Sequence, residues 1–224
     1  MRPIKENMST CCPSPPPTDG TNRFFSRWSK TYEKQFRKKG LAKEQRLLLI
    51  GVREEPVAAK SILDIGCGVG GLHLTLLKEG AARAVGVDIA QGMLDKALQF
   101  AASMGLAERV QYVLGDFAFV SDSLPEAEIT TLDKVVCCYE DLDLLLETST
   151  KKTRRVYALT HPRNNLLLEF LFKTHIAFNE LFRMKFRPYW HDWQRMRSQI
   201  IARGFHLTYE DSTFAWQVLV FVRE

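Results

Sequence analysis

The chain has 224 residues, 46% hydrophobic and 25% charged. That is the make-up of one globular domain with a sizeable core, and it excludes a fibrous or low-complexity protein. The net charge of +5 is modest, and its basic clusters at 27–39 and 151–155 read as solvated helix faces, so no nucleic-acid partner is expected. The longest apolar runs, such as 166–172, are far too short to cross a bilayer. Five cysteines, with adjacent pairs at Cys11-Cys12 and Cys137-Cys138, point to free thiols in a reducing compartment. No secretory signal is recognisable, so the setting expected is cytoplasmic, with an organellar one left open.

Residues 1–22 hold Pro13, Pro15, Pro16 and Pro17 and few large apolar groups, the composition of a disordered tail. Cys11 and Cys12 have no His or further Cys pair nearby at ligand spacing, so no metal is expected. One domain is then expected over 23–224. Phe24, Phe25, Trp28, Tyr32 and Phe36 recur at spacings of three and four and share a helix face, with Arg27, Lys30, Lys34, Arg37 and Lys38 on the other. Gly40 stops that helix, and 41–52 forms a second.

Residues 61–65 read as a buried strand, 66–71 as a glycine turn and 72–78 as a helix. Further strands are expected at 84–88, 110–114, 132–139 and 156–160. Helices are expected at 91–104 and 142–148, and a polar loop at 121–130. This alternation implies a parallel sheet with right-handed crossovers. Residues 166–186 form a helical segment too apolar for ordinary exposure. A helix at 194–203 and an antiparallel hairpin, 205–209 with 214–222, complete the pattern.

The stretch S-I-L-D-I-G-C-G-V-G-G at 61–71 organises the rest. Glycines without a Cβ let backbone approach a ligand closely, and the helix start that follows favours an anionic or polar group. Gly66, Gly68 and Gly71 also satisfy the dinucleotide fingerprint G-x-G-x-x-G, a weak match alone. Asp64 stands two positions before the first glycine, which suits a ligand with a cationic end better than a pyrophosphate. Asp88 ends the second strand, placed for the hydroxyls of a ribose, and Asp116 ends the third. Three acidic strand tips describe a nucleoside site without a phosphate to neutralise.

D-I-G-C-G-V-G at 64–70, V-G-V-D at 85–88 and G-D-F at 115–117, in this order and at βαβ spacing, resemble the motifs of class I S-adenosylmethionine-dependent methyltransferases. The resemblance covers roughly 43–224. It implies a Rossmann-like, mostly parallel seven-stranded sheet with helices on both faces, closed by the antiparallel pair. It also implies that S-adenosyl-L-methionine is the cofactor, lined by Asp64, Gly66, Cys67, Gly68, Gly70, Asp88, Ile89, Asp116, Phe117 and Cys138. Class I enzymes often build a lid from their N-terminal helix, which here is 23–58; the other reading is that its aromatic stripe simply packs on the sheet domain. F-S-R-W-S-K-T-Y at 25–32 is faintly similar to the start of magnesium-protoporphyrin O-methyltransferases.

The acceptor expected is a small apolar or planar molecule, methylated on oxygen. The segment 163–193 reads either as a plain core helix or as what shapes its pocket, a roof over it or a contact with a membrane surface, since Met and Phe there mix with Lys173, Arg183, Lys185 and Arg187. His161 is the best base candidate and Tyr139, in the rim segment 138–141, the second. Each has a plainer reading as a packing or turn residue. His191, between Trp190 and Asp192, reads as packing. Other readings are a tetrapyrrole carboxyl methyltransferase, an NAD-dependent oxidoreductase and a non-catalytic cofactor-binding protein. The residues do not disclose an oligomeric state.

Overall fold

The computed structural model of the protein describes residues 19–181 and 188–224. The expectations for Cys11, Cys12 and the proline-rich stretch, and for Arg183, Lys185 and Arg187, lie outside the described residues. One sheet holds β1 (Ser61–Ile65), β2 (Arg83–Asp88), β3 (Val110–Leu114), β4 (Ala127–Leu132), β5 (Thr153–Pro162), β6 (Phe205–Ser212) and β7 (Trp216–Arg223). Its spatial order is β3-β2-β1-β4-β5-β7-β6. β7 lies antiparallel between β5 and β6, and the pairings from β3 across to β5 are parallel. This is the mostly parallel seven-stranded architecture with a closing antiparallel pair.

Helices cover both faces: α1 (Asp19–Lys39), α2 (Lys43–Val52), α3 (Gly71–Lys78), α4 (Gln91–Ser103), α5 (Phe117–Val120), α6 (Leu142–Lys151), α7 (Leu166–Leu181) and α8 (Trp193–Ala202). Ile62, Ala84, Ile129, Val156 and Val220 face one core with Leu49 of α2, Leu77 of α3 and Phe100 of α4. Leu63, Val85, Tyr157, Leu159 and Phe221 face the other with Leu145 of α6 and Met196 of α8. Strands covered on both sides read as near-continuous apolar runs, which is why β1, β2 and β7 were plain in the sequence.

α1 begins inside the stretch expected to be a disordered tail, with the Ser26 hydroxyl donating to Asn22 (2.9 Å). It lies along α4 through a Phe36–Phe100 ring pair (5.1 Å) and a Lys96–Glu33 ion pair (2.9 Å). Gly40, at φ +64°, ends it as the spacing predicted.

β4 differs from expectation. The sequence reading put the fourth strand at 132–139 and a loop at 121–130, but the strand is Ala127–Leu132. Thr130 and Thr131 gave it a polar look. Both are fully buried, and their hydroxyls are paired with Thr153 (2.7 Å) and Asp64 (2.7 Å). The Glu128 carboxylate accepts from the Ser61 amide (2.9 Å), which ties β4 to β1. The run after it cannot extend the strand. Lys134 has φ +60°, and Val136–Cys138 form a single tight 3₁₀ turn.

Gly51 packs α2 against the β6–β7 pair. A Cβ there would lie 2.5 Å from Tyr209 Cδ1 and 2.7 Å from Val220 Cγ2. Gly→Ala inside a helix ordinarily gains up to about 1 kcal/mol. Here the added methyl overpacks a closed interface, so Gly51→Ala is expected to cost about 1–3 kcal/mol, read from the midpoint of urea unfolding.

Candidate active site

Parallel strands end together on one rim, and the predicted site residues gather there. After β1 the chain turns through Gly66 (φ +65°), Gly68 (φ +52°) and Gly70 (φ +89°) into α3. Gly66 is packed from below, since a Cβ would stand 2.4 Å from Val135 Cγ2. Gly68 has the opposite character. A Cβ there would meet nothing within 4 Å, so the outer face of the turn is open while its φ still disfavours other residues.

Asp88, at the tip of β2, clamps this turn. One carboxylate oxygen accepts from the Gly68 amide (2.8 Å) and the other from the Ala90 amide (2.8 Å). Burial pushes its pKa from the ordinary 3.8 up to about 6, against those two bonds, with the nearby Asp64 charge adding to the rise. Ile89 follows, half-buried. Cys67 is buried, its sulfur about 3.0 Å from where a Cβ of Gly86 would lie, and burial holds the thiol well above its usual pKa. It is a packing residue of the turn.

Asp64 does not point a spare charge outward. It is 2% exposed, with one oxygen accepting from Thr131 (2.7 Å) and the other 2.7 Å from His73 Nδ1. The far nitrogen of His73 meets the Tyr112 hydroxyl at 3.0 Å. The carboxylate expected to greet a cationic ligand end is thus the centre of a buried Thr131–Asp64–His73–Tyr112 chain that props the glycine turn. Sequence reasoning missed His73, Thr131 and Tyr112. The signal was a histidine on the apolar face of α3, nine residues after the acid.

Asp116 caps α5, accepting from Ala118 N (3.0 Å), and the Tyr139 hydroxyl donates to the same Oδ1. Burial, then the Asp116 charge, drive the Tyr139 phenol far above its usual range, so it stays protonated. Phe117 is buried beneath. Cys138 is half-buried, with its sulfur and that of Cys137 turned to the Lys134 carbonyl (3.3 and 3.6 Å). The structure therefore brings the β1, β2 and β3 tips together with Cys138 and Tyr139.

His161 is taken up by other contacts. It sits in β5 under α8, its ring stacked on Trp193 (4.7 Å) and Nδ1 donating to the Pro162 carbonyl (2.7 Å). Burial lowers its pKa to about 4, so it is neutral at pH 7 and a weak base. His191 bonds the Tyr139 carbonyl (2.8 Å), and with Trp190, Trp193 and Phe172 it makes an aromatic seam that seats α7. Among the described residues of α7, Phe172 meets this seam while Leu166 (86%) and Phe170 (64%) are exposed.

At the β4 tip stand two residues the sequence did not single out. Asp133 accepts from Gln45 (2.9 Å) and Thr160 (2.7 Å), and Lys134 pairs with Glu44 of α2. Among the described residues, no group of three or more His, Cys, Asp or Glu is placed to hold a metal, and no helix is long and apolar enough to cross a membrane.

Residues 62–163 match the family described as a methyltransferase domain. The chain is 41% identical over 58 residues to ribosomal protein L11 methyltransferase of Serratia proteamaculans, covering 26% of this chain and 20% of that protein. Over 74 residues it is 35% identical to sterol 24-C-methyltransferase of Eremothecium gossypii, covering 33% of this chain and 18% of that one. The chain thus spans about a fifth of these curated relatives. Its fold is similar to that of magnesium protoporphyrin IX methyltransferase from Synechocystis with bound SAH (TM-score 0.71, 19% identity, 91% of this chain and 98% of that one). It also resembles an O-methyltransferase family protein from Burkholderia thailandensis (TM-score 0.68, 13% identity, 92% and 63%).

Proposed function

We propose that this chain, which has the class I methyltransferase fold and a methyltransferase-domain match over 62–163, is an S-adenosylmethionine-dependent methyltransferase for a small apolar or planar acceptor. The observation that carries the reading is the open Gly68 turn with Asp88 beneath it and Asp116 on the next strand tip. Carboxylates there accept from ribose hydroxyls and an adenine amine, and they would repel a pyrophosphate. The backbone cradle and the donor set fit the cofactor.

When bound, S-adenosylmethionine supplies a sulfonium methyl group that an acceptor displaces in line. The chain's own residues would do the rest by positioning. Asp88 exchanges its amide partners for the ribose diol, and Asp116 offers Oδ2 to the adenine. A proton-accepting group is required only for an acceptor that is protonated at working pH. Neutral, stacked His161 is poorly suited to that task, which favours acceptors needing no deprotonation. α1 serves as the lid, with Trp28 and Tyr32 half-exposed. The exposed apolar face of α7 supports an apolar acceptor or a membrane-surface contact beneath that roof.

The test is thermal unfolding with S-adenosylhomocysteine, S-adenosylmethionine and NADH in parallel. At about 100 times its dissociation constant a ligand adds roughly 2.7 kcal/mol, a rise of several degrees. A shift with the two sulfur ligands alone supports the reading. A shift with NADH alone replaces it with an oxidoreductase, and no shift with any withdraws it.

The raised Asp88 pKa sets a pH dependence. A carboxyl with a folded pKa near 6 is held protonated below that value, and only the ionised form accepts both ribose hydroxyls. Binding therefore expels a proton below pH 6. S-adenosylhomocysteine affinity is expected to be level above pH 7 and to fall about tenfold by pH 5, measured by calorimetry. Without ligand the sign is reversed. Asp88 contributes stability that is fully present below pH 3.8 and lost as pH rises through about 6.

A further inference from the structure

Lys134 is the non-glycine residue of the rim that holds a left-handed backbone, φ +60° at the first turn after β4. Such a conformation costs a bulky residue of order 1 kcal/mol and persists where its surroundings impose it. Those surroundings are specific. The Lys134 amide donates to Thr160 Oγ1 (2.8 Å), whose hydroxyl donates to Asp133 (2.7 Å). The ammonium lies 5.2 Å from the centre of the Trp216 ring and pairs with Glu44 of α2. Burial works against the charge, and Asp133 and Glu44 more than restore it, so the ammonium is held protonated. Tyr32 of α1 stands close enough for the Lys134 charge to act on its phenol.

The position within the rim matters as much as the contacts. Asp88 and Asp116 occupy the β2 and β3 tips, and β4 lies on the other side of β1. A ligand whose ribose and adenine lie over β2 and β3 directs its remaining end toward β4. The Lys134 side chain keeps 32% of its surface exposed there, bounded by Tyr32, Trp216 and Glu44. The Trp216 face flanks a cation that has donors beyond the one Glu44 takes.

We propose that Lys134 is the anchor for an anionic group, carboxylate or similar oxyanion, carried by an otherwise apolar acceptor, with Glu44 as the internal counter-ion that the acceptor partly displaces. The proposal rests on the methyltransferase reading only in taking the β4 end of the rim as the acceptor end. It deepens that reading, because an anionic acceptor needs no base. Lys134 recognises the acceptor and takes no proton, so it is a specificity residue.

The test uses the full chain with S-adenosylhomocysteine present and two planar probes of the same shape, 1-naphthoate and its uncharged amide. Calorimetry should show naphthoate binding about tenfold or more tighter than the amide, the range of a charge-assisted hydrogen bond. Lys134→Met should abolish that preference and leave amide binding unchanged, and Lys134→Arg should keep it. Glu44→Gln, which removes the competing charge, should strengthen naphthoate binding. A role as a mere staple between α2 and the sheet predicts a lower melting temperature in Lys134→Met and Glu44→Gln alike and no change in the naphthoate-to-amide ratio. That result, equal binding of the two probes, or no naphthoate binding, overturns the proposal. Heat from S-adenosylhomocysteine itself is read in a separate titration, so loss of the cofactor reading is told apart from loss of this one.

Discussion

Asp88→Ala is expected to weaken S-adenosylhomocysteine binding by about 10²–10⁴-fold, the largest loss of affinity for any single rim substitution. Two hydrogen bonds from ribose hydroxyls to a charged acceptor contribute roughly 1.5–3 kcal/mol each. The same change releases the Gly68 and Ala90 amides, so the turn loses its clamp in the free protein as well. Asp88→Asn separates the two effects. Its amide oxygen can still accept from Gly68, whereas its NH₂ meets hydroxyls as a donor. Affinity should fall by about tenfold or more, while melting temperature falls less than in Asp88→Ala, because the clamp on Gly68 is kept and that on Ala90 is lost. Calorimetric titration of both variants decides it. Binding within threefold of the parent in Asp88→Ala would remove Asp88 from the ribose site.

The second large effect is on stability. His73→Ala removes the partner of a carboxylate that is 2% exposed, in a site closed on all sides. Removing the ring takes a hydrogen-bond partner from the buried carboxyl group and leaves a cavity where a fully buried side chain stood, which together cost about 3–5 kcal/mol. For a chain of this size that is a fall of roughly 6–20 °C in melting temperature. The Tyr112 hydroxyl loses its bond in the same step. The double variant Asp64→Asn/His73→Leu removes the charge as well as the ring, so it should recover part of the loss. Groups in one network do not add independently. Urea unfolding of the singles and the double gives the coupling. Simple additivity would mean that the pair does not act as a unit.

Much of this arrangement was legible in the residues, for reasons that differ from place to place. β3 was read at its observed bounds because V-Q-Y-V-L lies between a turn and a glycine. The glycine turn was legible because positive φ and close approach leave no substitute for glycine at Gly66 and Gly68. Asp88 and Asp116 followed from their places after apolar runs. The end of α1 was visible in Gly40.

What escaped the sequence were relations between distant residues. Thr130 and Thr131 look like loop residues until Thr153 and Asp64 satisfy their hydroxyls. β4 was therefore sought in V-V-C-C, which the backbone at Lys134 turns away from the sheet. Asp64 looked like a ligand group because its partner, His73, is a neighbour only once α3 folds back over β1. His161 looked like a base because sequence does not show the Trp193 ring above it. α7 was read as needing cover, yet its described apolar side chains are largely exposed beyond the Phe172–Trp190 contact.

The position of β1 between the two halves of the rim has an evolutionary consequence. Asp88 and Asp116 lie on one side, and Lys134, Glu44 and Trp216 on the other. Substitutions at positions that share no hydrogen-bond partner combine nearly additively. On the function proposed above, such a rim can exchange one acceptor for another by substitutions at the β4 end while the nucleoside end stays unchanged. Among the described residues, struts that cross the divide include the hydrogen bond from Tyr139 to Asp116 and the buried chain that links Thr131 of β4 through Asp64 and His73 to Tyr112 of β3. A lineage changing its acceptor would be free to alter Lys134 or Trp216, but would carry Tyr139 along unchanged.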